Sequence, residues 1–253
     1  MTGRLTRREA LAVLAAGVAL PRTAMAYVEP DFFAAQIAAG DLPPIAGRLP
    51  EEPRVINLAA MGREPGRNGG TLRMLIGGQR DVRYMPINGY SRLVGLDPQL
   101  NLIADILSAY EVEDGRVFTF RIRRGHRWSD GHPFTSEDFR YCWQDVILHE
   151  DLGGMEQVLK VDGEGPTFQV LDELTVRYSW AAPQPEFLPA LAAPVPLRIV
   201  LPAHYMKGFH IAYTPEEELK ALAKKARVDD WAALHQKMGR VSRPENPDLP
   251  TLE

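Results

Sequence analysis

The chain has 253 residues, a formal net charge of −4, 45% hydrophobic and 25% charged residues. These are ordinary globular values, and the mild acidity, with no basic stripe interleaved with aromatics, argues against nucleic acid as a partner. One cysteine, Cys142, excludes an intrachain disulfide and a Cys-based zinc cluster.

Arg4, Arg7 and Arg8 form a basic start, followed by a charge-free apolar run of 11 residues, Ala10 to Leu20. Pro21 and the small-x-small group Ala24-Met25-Ala26 come next. This order predicts a secretory signal peptide over residues 1–26, cleaved near Ala26, since the run is too short for a bilayer span of about 20 residues. Thr6-Arg7-Arg8 with Leu11 resembles a twin-arginine signal, although Ala10 stands where Phe is common; a general secretory route also fits. Cys142 is too far along to be a lipidated first residue, so a soluble exported protein is expected.

Asp31 to Ala39 suits a short helix, and Gly40 to Pro53 reads as extended coil on a surface. After Gly69-Gly70, the run Thr71 to Ile76 predicts a strand ended by Gly77-Gly78. Tyr110 and Val112, the turn Asp114-Gly115, then Phe118, Phe120 and Ile122 predict a hairpin with one apolar face. Trp128-Ser129-Asp130-Gly131 is a tight turn. Thr135 with Asp138 three residues on can form a capping box, and Phe139, Cys142, Trp143, Val146 and Ile147 supply the apolar stripe of a helix. Cys142 lies on that stripe and reads as a small buried hydrophobe.

Residues 167–180 predict a second hairpin turning at Asp172-Glu173. Six prolines between Pro183 and Pro202 restrict that stretch to a short helix from Glu186 to Leu191. Thr214-Pro215-Glu216 marks a helix start with Thr214 as cap, running to Ala226, and a second helix spans Asp229 to Met238. Arg243 to Glu253 shows no periodicity.

The motifs of catalysis are missing: no Gly-x-Ser-x-Gly elbow, phosphate loop or His-Glu-x-x-His occurs. His149-Glu150-Asp151 is the densest set of metal-ligand types, but a helix C-terminus accounts for its histidine. His126 and His132 flank the Trp128 turn and could be two ligands, but read better as ordinary loop residues; His204 and His210 have no partner carboxylate in sequence. Asp229-Asp230 reads as capping, because adjacent helical residues do not face each other. No metal and no cofactor is expected.

One long stretch carries a family resemblance. It runs from Leu93-Val94-Gly95-Leu96-Asp97-Pro98 through Asn101 to Leu107 and Tyr110-Glu111-Val112. It continues with Phe118-Thr119-Phe120-Arg121-Ile122-Arg123-Arg124-Gly125 and Trp128-Ser129-Asp130-Gly131-His132-Pro133-Phe134-Thr135-Ser136-Glu137-Asp138-Phe139. This resembles the dipeptide-, oligopeptide- and nickel-binding proteins of ABC importers, extracellular family 5, with Ser136 and Phe139 in place of the usual Ala and Val. The resemblance covers roughly residues 69–253.

It implies a mixed α/β, periplasmic-binding-protein-like lobe carrying an inserted small domain, with the second lobe missing. Mapped here, residues 27–92 and 200–253 belong to the first lobe and 93–199 to the inserted domain. The family is longer, which implies a truncated chain. The resemblance further implies no enzyme activity, a peptide or other small solute, a permease partner in the inner membrane, a monomer and a periplasmic location. The segment after the first strand would face the ligand: Gln79, Arg80, Asp81, Val82, Arg83 and Tyr84. Asp81 would meet an ammonium, and Arg80 or Arg83 a carboxylate. Two other readings stay open at this point: a secreted enzyme on an unrecognised scaffold, and a non-functional remnant.

Overall fold

The computed structural model describes residues 27–67, 69–78, 81, 91–240 and 246–252. The chain divides into two compact units, the first ending at Ala46 and the second beginning at Gly47. In the first unit, a turn of 3-10 helix at Asp31–Phe33 leads into α1, Ala34–Ala39. Gly40 closes α1 at φ 78°, a left-handed position that glycine adopts without strain. The expected short helix is therefore present. The turn α2, Ile45–Arg48, spans the boundary between the units.

Two antiparallel pieces of sheet frame the second unit. β1, Val94–Leu96, pairs with β2, Leu102–Ala104, across a turn held by Asp97. The Asp97 carboxylate accepts the Gln99 and Asn101 N–H groups at 2.9 and 2.8 Å and the Asn101 side-chain amide at 2.9 Å. These bonds hold its pKa below the usual carboxylate range, the Asn101 side chain first. This hairpin was not anticipated; the signal was Asp97-Pro98 followed by Asn101, a side-chain-stabilised turn.

The larger sheet has β3, Leu107–Glu113; β4, Val117–Ile122; β5, Thr167–Asp172; and β6, Thr175–Ser179. Its order is β3-β4-β6-β5, antiparallel throughout. Both expected hairpins form. At the first turn Asp114 (φ 52°) and Gly115 (φ 66°) are left-handed, and the Arg116 N–H closes on the Glu113 carbonyl at 3.0 Å. Phe118, Phe120 and Ile122 face inward as the alternation requires. The opposite face is less open than the alternation implied: Thr119 is also buried, and the Arg177 Nε donates to its hydroxyl at 3.1 Å.

The helix α4, Phe187–Ala192, covers the apolar face, within the short stretch the prolines allow. Phe187 stacks on Phe120 at 5.7 Å and meets Phe118 edge-on at 5.2 Å. Burying one such ring stabilises the fold by roughly 1.5–3 kcal/mol, and the edge-on contact adds to that.

The helix α3, Ser136–Arg140, opens with the anticipated capping box. The Glu137 N–H donates to the Thr135 hydroxyl at 3.3 Å, and the Thr135 N–H donates to Asp138 at 3.0 Å. Tyr141–Ile147 is π-helical rather than α-helical, with the Leu148 N–H reaching back five residues to the Trp143 carbonyl at 3.1 Å. The wider turn keeps Phe139, Cys142, Trp143 and Val146 of the expected stripe buried, leaves Ile147 half-buried, and brings Tyr141 fully inside.

Past a turn of helix α5, Ala203–Met206, come α6, Glu216–Ala226, and α7, Trp231–Met238. They pack through Leu219, Ala223 and Leu234. Asp230 caps α7, accepting the Ala233 N–H at 2.8 Å. Thr214 does not cap α6 as expected. Its hydroxyl donates to the Lys207 carbonyl at 3.0 Å, and Pro215 takes the cap position.

The expected strand Thr71–Ile76 does not form. Leu72, Met74, Leu75 and Ile76 are exposed, and no neighbouring strand pairs with them among the described residues. Strand propensity alone cannot hold an extended segment that has no ladder to join.

Candidate ligand-facing segment and its frame

Of the six residues expected to face a ligand, the structure describes Asp81; Gln79, Arg80, Val82, Arg83 and Tyr84 lie outside the described residues. Asp81 closes a turn. Its N–H donates to the Gly78 carbonyl at 2.9 Å, and its Oδ2 accepts the Gly78 N–H at 2.9 Å. A Cβ on Gly77 would come within 3.1 Å of that same oxygen, so glycine leaves room for the carboxylate to fold back. The carboxylate expected to meet an ammonium thus has one oxygen engaged by its own backbone.

The coil at residues 51–54 lies on the loop after β4. Arg54 pairs with Asp105 at 2.6 Å, and the Arg123 guanidinium donates to the Glu52 carbonyl at 3.3 Å. Gly125, at φ 74°, lets the chain approach: a Cβ there would stand 2.8 Å from the Glu51 nitrogen.

The turn Trp128-Ser129-Asp130-Gly131 gathers histidines that are far apart in sequence. His204 Nε2 meets Asp130 Oδ2 at 2.7 Å, and the His132 ring stacks on the His204 ring at 3.9 Å. His204 therefore has a partner carboxylate, contrary to its appearance in sequence. Asp138 ties the same region together, accepting the Ala203 N–H at 2.9 Å at the start of α5 while it caps α3. Burial is the largest influence on its acidity and pushes its pKa up.

Beside it, the Arg140 guanidinium donates to both oxygens of Glu137 at 2.6 and 2.8 Å and to Asp145 at 2.9 Å. Lys207 donates to Glu137 at 2.7 Å, and the Tyr213 hydroxyl to Asp145 at 2.6 Å. The Arg140 bonds, with Lys207 behind them, hold Glu137 down at about 2. Every charge in this network has an opposite partner, which is the pattern of a structural brace and not of a poised acid or base. Among the described residues no three His, Cys, Asp or Glu side chains are arranged to hold a metal ion. Cys142 is buried as expected, and burial pushes its thiol up to about 12.

Two open hollows border the α6–α7 pair. One, of about 470 Å³, is lined by residues including Leu219, Lys220 and Trp231; the other, of about 380 Å³, by Phe209, Leu222 and Met238 among others. Among the described residues no helix is long and apolar enough to cross a membrane.

The family model for bacterial extracellular solute-binding proteins, family 5 (middle region), matches residues 101–232. This chain belongs to that family of extracellular solute-binding proteins. It is similar to the periplasmic alpha-galactoside-binding protein of Rhizobium meliloti (strain 1021), 29% identical over 175 residues, covering 61% of this chain and 25% of the relative. It is also similar to the periplasmic oligopeptide-binding protein OppA of Escherichia coli (strain K12), 26% identical over 105 residues, covering 35% and 19%.

Among solved structures, an oligopeptide-binding protein OppA superposes with TM-score 0.75 and 29% identity, over 89% of this chain and 34% of that one. The periplasmic binding protein MelB in complex with stachyose, from Agrobacterium fabrum C58, gives TM-score 0.61 and 26% identity, over 79% and 33%. The chain spans about a quarter of its curated relatives' length and a third of these solved chains. The mixed α/β fold is that of family 5, and these relatives and neighbours are binding proteins, not enzymes.

Proposed function

We propose that this chain is the solute-capturing component, or part of one, of an ABC importer, working in the periplasm and delivering its solute to a permease in the inner membrane. The observation that carries this reading is the superposition on an oligopeptide-binding protein over 89% of the chain. In the proposal residues 1–26 are a signal peptide cleaved near Ala26, of the twin-arginine or the general type. Residues 27–92 and 200–253 contribute to a first lobe, and 93–199 form the inserted domain. Gln79, Arg80, Asp81, Val82, Arg83 and Tyr84 face the solute, and the protein acts as a monomer.

The solute is a peptide or a similar small molecule. An α-galactoside oligosaccharide stands beside the peptide, because the relative aligned over 61% of the chain is named for alpha-galactoside binding. A second reading, in which the chain alone does not close on a solute, is favoured by the exposed apolar side chains of Leu72, Leu75 and Ile76.

Thermal unfolding of the purified protein with mixed peptides, and separately with stachyose, tests the reading. A solute that binds only the folded form raises the midpoint, by about 2.7 kcal/mol of stability at a hundredfold excess over Kd. A rise with one class names the solute. No rise with either supports the second reading for this chain. The intact mass of native protein from the periplasmic fraction tests export: a mass starting at Tyr27 supports cleavage near Ala26, and a retained residue 1–26 segment overturns it.

A further inference from the structure

Three histidines from three separate elements meet in the second unit, two of them buried and His149 partly exposed. His149 follows the π turn, His210 follows the 3-10 turn Lys207–Phe209, and His235 lies on α7. The His210 ring stands edge-on to His149 at 5.3 Å and to His235 at 5.6 Å. Trp231 of α7 closes the group, 5.1 Å from both His149 and His210. His210 and His235 are 1% and 3% exposed, too little for water to solvate a charge on either.

The hydrogen bonds fix the protonation state. His210 Nε2 sits 2.8 Å from the Asp145 carbonyl, which can only accept, so that nitrogen carries the proton. His210 Nδ1 accepts the Ala212 N–H at 3.1 Å, so it is bare. His149 Nδ1 accepts the Asp151 N–H at 3.2 Å and is bare as well. His235 Nε2 pairs with the Tyr141 hydroxyl at 2.8 Å, which also suits a neutral ring. A proton added to Nδ1 of His210 would point an N–H at the Ala212 N–H and break the bond to the segment that follows the Lys207–Phe209 turn.

We propose that His210 and His235, with His149 and Trp231 packed against them, form an acid-sensitive latch that docks the α6–α7 pair on the π turn at neutral pH and releases it when the two buried rings are protonated. α7 supplies Trp231 and His235 to the latch, and α6 packs on α7 through Leu219, Ala223 and Leu234, with Phe209 and Ile211 beside them. The charged and titratable groups facing the cluster do not compensate a new cation. Asp145 is engaged by Arg140 and Tyr213, Arg198 is itself a cation, Tyr141 is neutral, and Asp151 lies 4.0 Å from His149 at the exposed side. Burial pushes the His235 pKa down to about 3, with His210 next in effect, and burial lowers His210 also.

The sign follows from linkage. A histidine whose folded pKa is depressed stabilises nothing extra above its unfolded value of about 6.5 and loses stability as pH falls below it. For His235 the loss grows from about pH 6.5 down to the folded value of about 3.

Hydrogen exchange of the full chain at pH 7.5 and 5.0, corrected for intrinsic exchange, tests the latch. The opening of α7 amides should rise about 30-fold at pH 5.0 from His235 alone, while β4 and β6 amides keep their protection. Unchanged α7 protection, or a rise shared equally by β4 and β6, overturns the proposal. In H235Q the glutamine can still bond Tyr141 but cannot be protonated, so the acid step should lose the His235 part of the rise and keep at most the part from His210; a step as large as in the parent overturns the latch. If H235Q does not fold, the two-region comparison in the parent chain decides.

Discussion

Ser129 and Thr251, 122 positions apart, hold each other by two hydrogen bonds. The Ser129 N–H donates to the Thr251 carbonyl at 2.9 Å, and the Thr251 N–H donates to the Ser129 hydroxyl at 3.0 Å. The clasp fastens the segment around Leu249 and Leu252, both buried, against the turn that begins at Trp128. Leu252→Ala should lower stability by about 2–5 kcal/mol, because it empties a packed site. Ser129→Ala should lower it by about 1 kcal/mol, the net contribution of one neutral hydrogen bond. Urea unfolding checks both, and equal effects would mean that the clasp, not the leucine packing, holds the segment.

Asp138 serves α3 and α5 together through its bonds to the Thr135 and Ala203 N–H groups. Asp138→Ala leaves the Ala203 N–H buried without an acceptor, and should cost about 2–4 kcal/mol. Asp138→Asn keeps one acceptor and should cost less. Chemical denaturation of the pair of variants gives the comparison, and equal losses would show that the charge and not the geometry matters.

Gly125→Ala should destabilise for two separate reasons. The residue is at φ 74°, where a side chain is strained, and the new Cβ would meet the Glu51 backbone at 2.8 Å. A loss of about 1–3 kcal/mol is expected. Since the contact is local to the loop after β4, proteolysis near residues 51–54 should accelerate more than cleavage elsewhere. An unchanged cleavage rate there would exclude the close approach.

Cys142 should resist thiol reagents at neutral pH. Its side chain is 1% exposed, and burial raises its pKa to about 12, so the thiolate is scarce. An aromatic disulfide reagent should label the folded protein only at the rate of unfolding, and at once in denaturant. Rapid labelling without denaturant would show an opening of the π turn.

Local chemistry was legible from the residues. Asp114-Gly115 specifies its turn, Thr135 with Asp138 specifies a cap, and Phe118, Phe120 and Ile122 specify an inward face, since each feature involves neighbours within a few positions. The α3 stripe located the buried face of its helix. The π geometry escaped it, because the same residues satisfy both periodicities until Tyr141 finds His235. The family was readable from the ordered run between Leu93 and Phe139, and the match over residues 101–232 agrees with it. Of the ligand-facing segment only Asp81 can be compared, and its turn with Gly78 depended on a backbone bond that residue types do not announce.

What the sequence determined by itself was therefore the set of turns, caps and apolar faces, because these follow from bonds between near neighbours. What only the tertiary structure decided was which distant groups meet: Asp130 with His204, Ser129 with Thr251, and the three histidines around Trp231. It also decided that Thr71–Ile76 forms no strand ladder with another segment among the described residues. A strand and a buried histidine both depend on partners from elsewhere in the chain, and the energy of those meetings is not encoded in any local window.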